Sequence, residues 1–179
     1  MENNWLTTFL EILKYILPST IVFLTSYFVL KLFIQGEYDK KQLDVRISNF
    51  KESLPIRLQA YERLTLFLER ISPNNLINRV NKPGMNARDL QIALIANVRM
   101  EYEHNLAQQI YVTGQTWMII VQTKEEIVSI INRVGANLPE AASGKDLSRG
   151  IFQFFIDNEQ SIPTQKGIDT LKAEVKKIF

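Results

Sequence analysis

The strongest candidate for chemistry in this sequence is the pair formed by Glu101 and His104. The two residues are three positions apart, so a helix would place them on one face, the spacing with which ferritin-like bundles bind paired metals. That chemistry needs a second such pair on another helix, and the chain contains 1 histidine. A single-metal site with a distant carboxylate is one alternative. We favour the simpler interpretation that His104 bonds a neighbouring helix or faces solvent, and we expect no metal ligand.

A second candidate is the run SGKD, which extends from Ser143 to Asp146 and resembles part of a phosphate-binding loop. The Walker pattern requires a glycine five residues before its second glycine, and Ser or Thr directly after the lysine. Pro139 and Asp146 occupy those two places. We therefore interpret the run as a loop that caps a helix, and we expect no nucleotide cofactor.

Composition excludes several further classes of chemistry. The chain has no cysteine, which excludes disulfides, thiol catalysis and cysteine-based metal sites. A Ser-His-Asp triad would have to recruit His104, and no G-x-S-x-G elbow marks a serine for it. The chain has 21 Lys+Arg, 19 Asp+Glu and a net charge of +2, without the dense basic stripe of a nucleic-acid-binding protein. We predict no catalytic or cofactor-binding residue and no nucleic-acid partner.

The residues with the clearest physical meaning are 16–34, ILPSTIVFLTSYFVLKLFI, whose single charge is Lys31. As a helix they would span roughly 28 Å, close to the hydrocarbon core of a bilayer at about 30 Å. Hydroxyl groups inside the run can bond carbonyl oxygens one turn back, and Lys31 can extend its ammonium group to the lipid headgroups. We predict a transmembrane helix. The alternative is a hydrophobic helix packed inside a complex.

The residues on either side of this run predict its orientation. The leader carries Glu2 and Glu11 and lacks a basic start, which argues against a cleaved signal peptide. Lys14 is the basic residue before the run, whereas four follow it closely, namely Lys40, Lys41, Arg46 and Lys51. The positive-inside rule therefore predicts a cytoplasmic C-terminal side.

A long amphipathic helix is predicted after the span, over residues 38–71. Apolar residues recur there in steps of three and four: Leu43, Ile47, Phe50, Leu54, Leu58, Tyr61, Leu64 or Thr65, Leu68 and Ile71. Such a pattern is typical of a stalk or coiled coil. Pro55 is expected to kink it. At Gly36 the pattern leaves two possibilities, a continuous helix or a hinge between span and stalk.

For the remainder of the chain the sequence predicts shorter helices, separated by capping and helix-breaking residues. A short helix is predicted from Pro73 to Val80, with Ser72 as its cap. The next is predicted to start at Asn86 and to place Leu90, Leu94, Val98, Tyr102, Leu106 and Ile110 on one face. Two more helices are predicted, one capped by Ser143 with Asp146, and a last one from residues 162–164 with Ile168, Leu171, Val175 and Ile178 on one face.

The stretch YVTGQTWMIIVQT, residues 111–123, allows two interpretations. Its composition is rich in strand-forming residues, and it could form a strand or a hairpin turning at residues 113–115. Helical spacing of apolar residues nevertheless continues downstream of Trp117. We favour a helix capped by Thr113 that ends near Gly135. The run WMIIV, residues 117–121, is then either deep core or a partner surface.

Parts of the middle of the chain resemble an uncharacterised family of bacterial proteins with one N-terminal span. The resemblance lies in residues 101–112 (EYEHNLAQQIYV), Trp117 and residues 124–134 (KEEIVSIINRV). This resemblance implies a helical protein anchored in the bacterial inner membrane. No known activity comes with it.

These observations predict an all-α protein with three parts: a membrane anchor (1–35), a kinked amphipathic stalk (36–72) and a small helical bundle (73–179). We expect a non-enzymatic scaffold or accessory subunit at the cytoplasmic membrane face. Its partners would be the lipid bilayer and another protein or a second copy of the chain. Contact is expected through the membrane-proximal part of the stalk, namely Leu43, Ile47, Phe50 and Leu54. The alternative is an enzyme or ligand-binding module whose site no motif reveals.

Overall fold

The computed structural model describes residues 4–157 and 162–178. This part of the chain consists of helices and the loops that connect them, without a β-strand. Residues 1–3 of the predicted anchor lie outside this part of the chain. The helices are α1 (Asn4–Ile71), α2 (Pro73–Val80), α3 (Ala87–Asn105), a 3₁₀ helix (Leu106–Ile110), α4 (Gly114–Ala136), α5 (Gly144–Asp157) and α6 (Pro163–Val175). The predicted all-α fold class is confirmed.

The chain divides into two compact units, the first ending at Ser53 and the second beginning at Leu54. The boundary falls within the predicted stalk, so the second half of that stalk belongs to the same unit as the bundle helices. The backbone stays helical at Pro18, Gly36 and Pro55, so α1 continues through Gly36 without a hinge. The leader from Asn4 is part of the same helix.

The first unit is a helix whose apolar side chains are exposed. An apolar stretch of α1 near the N-terminus is long enough to cross a membrane, and none of it is buried within the described chain. Ser19 and Thr20 each donate a hydroxyl hydrogen bond to the Ile16 carbonyl oxygen at 2.8 Å, and Thr25 donates to the carbonyl of Ile21 at 2.9 Å. These backbone bonds give the hydroxyl groups partners inside the helix, so they do not require water.

The second unit has one hydrophobic core. Helix α4 packs against α3, α5 and α6, and α2 packs against α3 and α5. The largest fully buried side chains come from all six α-helices: Leu64, Phe67, Leu68, Ile71, Leu76, Leu90, Leu94, Ile120, Ile127, Leu147, Ile151 and Leu171. Burial of such side chains is the main favourable term in the stability of this unit.

Local capping sets the starts of α3 and α4 as the sequence predicts. Asn86 accepts a hydrogen bond from the Asp89 amide at 2.7 Å and begins α3. Thr113 accepts one from the Thr116 amide at 3.3 Å and begins α4. The predicted helix capped by Thr113 is therefore confirmed from Gly114 onward, and the strand alternative for residues 111–123 is wrong. Each cap satisfies an amide that has no partner within its helix.

Three details of the predicted apolar faces are wrong. Leu58 is exposed, and the half-buried residue at that level of α1 is Arg57. Helix α3 ends at Asn105, and the exposed Leu106 and Ile110 lie in the 3₁₀ turn that follows. A 3₁₀ turn has three residues per turn, so the face predicted with helical spacing does not continue through it.

The predicted cap of α2 also differs. The helix does begin with Pro73, but the Ser72 side chain makes no capping bond to it. The Ser72 hydroxyl donates to the Glu69 carbonyl at 2.7 Å instead. It therefore satisfies an acceptor in the last turn of α1.

Candidate interaction surface and buried polar cluster

The predicted contact residues form an exposed stripe on the first unit. Leu43 is 58% exposed, Ile47 is 44% exposed and Phe50 is 46% exposed. We call these three residues the open stripe. Leu54, the next position in the repeat, is half-buried and belongs to the second unit. Exposed apolar side chains at regular helical spacing are typical of a helix face that a partner covers.

The second unit contains an ion-pair cluster that decides the chemistry of the Glu101–His104 pair. Oxygen Oε1 of Glu101 lies 2.7 Å from Nη2 of Arg70 and also accepts from its Nε at 2.7 Å. Nη2 of Arg79 lies 3.5 Å from the same oxygen. Two guanidinium groups thus neutralise the carboxylate and repel a metal cation. His104 is exposed on the next turn.

An open groove of about 660 Å³ runs beside this cluster. Its lining joins polar side chains, including Arg63 and His104, with the exposed apolar side chains of Leu66 and Met100. Among the described residues, no group of three or more His, Asp or Glu side chains could hold a metal ion. The groove brings no nucleophile next to a base, so its geometry does not point to a reaction.

A buried polar cluster lies elsewhere in the second unit, centred on Glu174, which is 8% exposed. Its Oε1 accepts from the Tyr61 hydroxyl at 2.8 Å and from the Thr113 amide at 2.9 Å, and its Oε2 accepts from the Thr113 hydroxyl at 2.8 Å. Arg57 donates to the Tyr61 hydroxyl at 3.1 Å and to the Tyr111 carbonyl at 3.4 Å. The cluster joins α1, the start of α4 and α6.

These contacts set the charge of the cluster. Burial opposes ionisation of Glu174, but the combined hydrogen bonds from Thr116, Thr113 and Tyr61 hold its pKa below the ordinary value. Burial, together with the bond to Glu174, raises the pKa of Tyr61, and Arg57 acts in the opposite direction. At neutral pH the carboxylate is therefore ionised and the phenol is neutral. An ionised carboxylate whose two oxygens are both engaged is suited to holding helices together, not to donating a proton.

The SGKD run has a capping role. Oδ2 of Asp146 accepts from the Ser143 amide at 2.9 Å and from its hydroxyl at 2.7 Å. The Asp146 amide lies 3.4 Å from the Ser143 hydroxyl oxygen, which completes a reciprocal capping box at the start of α5. The hydroxyl bond lowers the pKa of Asp146.

Sequence reasoning missed the Glu174 cluster. Tyr61 and Glu174 are 113 positions apart, and Glu174 lies near Lys172 and Lys176, so that its charge resembles part of a solvated face. The one available signal was Thr113, whose capping position was predicted. A helix N-terminus also attracts carboxylates, but the sequence does not say which of the 19 acidic residues would reach it.

The chain is similar to one family of proteins over almost its whole length. A family model described as a family of unknown function (DUF7935) matches residues 7–178. This range includes α1 from Thr7 onward and every bundle helix. No curated protein and no solved structure matches the chain.

Proposed function

Because the chain belongs to the DUF7935 family of unknown function, we propose its function from its architecture: a non-enzymatic scaffold or accessory subunit anchored in the bacterial cytoplasmic membrane. In this proposal residues 16–34 cross the bilayer and the second unit lies in the cytoplasm. The open stripe, with Leu54 as the next position, docks a partner protein at the membrane face.

One observation carries this proposal: the apolar side chains of the first unit have no cover within the described chain. Ile21, Phe23 and Phe28 are each more than half exposed, as is expected of side chains that lipid surrounds. The open stripe follows the span by about nine residues on the same helix. An exposed amphipathic helix gains little from helical propensity and is stabilised mainly by packing of its apolar face.

The enzyme alternative has weaker support. The described groups with clearly shifted pKa values are Tyr61, Asp146 and Glu174. Asp146 is part of a cap, and the other two are bonded to each other. Shifted groups at a catalytic site would instead be directed toward an accessible substrate position.

The span and its orientation can be tested by cysteine labelling, since the chain has no cysteine of its own. Asn3→Cys places a thiol before the span, at a position outside the described residues. Ser129→Cys places one on the exposed side of α4. An impermeant maleimide should label the first variant in intact cells and the second only after permeabilisation. Release of the protein by alkaline extraction would contradict the span, and labelling of Ser129→Cys in intact cells would contradict the orientation.

The docking surface can be tested with a photo-crosslinking residue at Ile47 and, as a matched control, at Val45. Val45 is also exposed but lies two residues away, toward another side of the helix. Crosslinks from position 47 that are absent from position 45 would support the stripe as the docking surface. The double variant Ile47→Glu/Phe50→Glu should abolish crosslinking from Leu43 while the melting temperature stays unchanged. Equal crosslinking from positions 45 and 47 would contradict a docking stripe.

A further inference from the structure

The open stripe has a defined position within a heptad repeat. Leu43, Ile47 and Phe50 are separated by four and then three residues, which assigns them to positions d, a and d of a coiled-coil seam. Asp39 and Arg46 then occupy g positions. Asp44 and Lys51 occupy e positions, so these four charges flank the seam.

All four flanking residues are exposed on α1, within the first unit. None of the ion pairs among the described residues involves any of them. Their charges are therefore available to a helix that packs on the open stripe. In coiled coils such e and g charges decide which partner is accepted.

A second copy of this chain fits poorly in the parallel direction. In a parallel pair each g position faces the e position five residues further along the partner. Asp39 would then face Asp44 of the second copy, and Arg46 would face Lys51. Lys40 is at an a position and would lie beside its own equivalent. Like charges placed across an interface disfavour that pairing.

An antiparallel second copy would bring opposite charges together, Asp39 with Arg46 and Asp44 with Lys51. Two chains anchored by the same end in one membrane cannot run antiparallel along these residues, because the stripe of each begins about nine residues from its span. This step rests on the proposed membrane anchor. The charge order therefore disfavours the parallel self-pair, and the shared membrane anchor excludes the antiparallel one.

We propose that the open stripe docks an amphipathic helix of a different protein, with basic residues beside Asp39 and Asp44 and acidic residues beside Arg46 and Lys51. The two charge sets lie one heptad apart along the seam. The partner is therefore recognised by the order of its charges as well as by its apolar face. Shared anchoring to one membrane raises the local concentration of such a partner and compensates for the short seam.

The test uses two synthetic helical peptides with the same apolar seam and the same composition. Both carry an N-terminal acyl chain that anchors them in the lipid and so fixes the parallel direction. One has basic flanking residues in its membrane-proximal heptad and acidic ones in the next, and the other has the two sets exchanged. Binding to the full-length protein in lipid nanodiscs is measured by fluorescence anisotropy. The first peptide should bind about tenfold more tightly, as four exposed pairs change from repulsive to attractive. The difference should shrink in 0.5 M salt, which reduces the screening length to roughly 4 Å.

Two variants separate failure of this inference from failure of the docking proposal. The fourfold reversal Asp39→Lys/Asp44→Lys/Arg46→Glu/Lys51→Glu should invert the preference between the peptides, with no change in melting temperature. Ile47→Glu should weaken binding of both. If the two peptides bind equally and Ile47→Glu still weakens their binding, the inference about charge order is wrong and the docking surface stands. Binding that is insensitive to Ile47→Glu would overturn the docking surface itself.

Self-association is measured separately with two differently tagged copies of the full chain in one membrane. Because like charges flank the seam, the two tags should not co-purify through the stripe. Co-purification that Ile47→Glu abolishes would assign the stripe to a second copy and overturn the heterologous partner.

Discussion

The two halves of the predicted stalk carry the same apolar repeat in different environments. In the first unit Leu43, Ile47 and Phe50 are exposed, whereas in the second unit Tyr61, Leu64, Leu68 and Ile71 are buried. The repeat in α1 thus indicates a face that packing would stabilise, but not which molecule packs on it. For residues 61–71 the chain supplies the cover itself, and for residues 43–50 we propose that a partner does.

The largest expected difference between the two halves comes from truncating equivalent positions. Leu68→Ala removes a fully buried side chain and should lower the free energy of unfolding by about 2–5 kcal/mol, because it leaves a cavity. Ile47→Ala should change it by less than about 0.5 kcal/mol. Chemical denaturation of the full-length protein in detergent, followed by circular dichroism, measures both. Similar losses for the two variants would mean that the first half is also packed within the chain.

A smaller loss is expected from adding volume where two helices approach closely. A Cβ at Gly167 would lie 2.9 Å from Cδ1 of the buried Leu68. Gly167→Val should therefore cost about 1–3 kcal/mol of unfolding free energy through overpacking. Gly114→Ala is the matched control, since a Cβ there meets no atom within 4 Å. Thermal melts of the two variants should separate clearly, and coincident melts would contradict the close approach of α6 to α1.

The Glu174 cluster should make the stability of the second unit depend on pH. The pKa of Glu174 is lower in the folded protein than its ordinary value of 4.5, so the folded state binds fewer protons. The contribution of Glu174 to the free energy of unfolding is fully present above the ordinary pKa and is lost as the pH falls through the folded pKa. Glu174→Gln should cost about 1–3 kcal/mol at pH 7. The gap between the denaturation midpoints of wild type and variant should narrow in acid, and a gap that stays constant to pH 3 would contradict the lowered pKa.

The smallest effect is expected at the partly exposed ion pair between Arg70 and Glu101. Arg70→Gln removes one of the two guanidinium groups near the carboxylate, and Arg79 remains 3.5 Å away. This substitution should lower the free energy of unfolding by less than about 1 kcal/mol, because partly exposed ion pairs are solvated and screened. Glu101→Gln, which leaves both arginines unpaired, is the comparison, and melting curves at low and high salt measure the pair. A loss comparable to that of Leu68→Ala would show that Glu101 is a core element.

The features that the sequence predicted correctly arise from interactions between residues that are close in the chain. Asn86 with Asp89, Thr113 with Thr116 and Ser143 with Asp146 each bond across three residues, so residue types and spacing suffice to predict a helix start. The apolar stretch of α1 that is long enough to cross a membrane is equally local, because its length and polarity lie in one continuous run. The errors occurred where packing decides, as at Leu58, which the repeat included and the structure exposes.

By itself, the sequence determined the all-α class, the helix starts and the long apolar helix, since these follow from propensities and hydrogen bonds within a few residues. Only the tertiary structure decided which part of the α1 repeat is covered and that Glu174 meets Tyr61 and Thr113. It also placed Glu101 between two arginines. These outcomes depend on which surfaces fit together across long separations in the chain, and a buried charge or apolar face is stable only where such a fit supplies its partner.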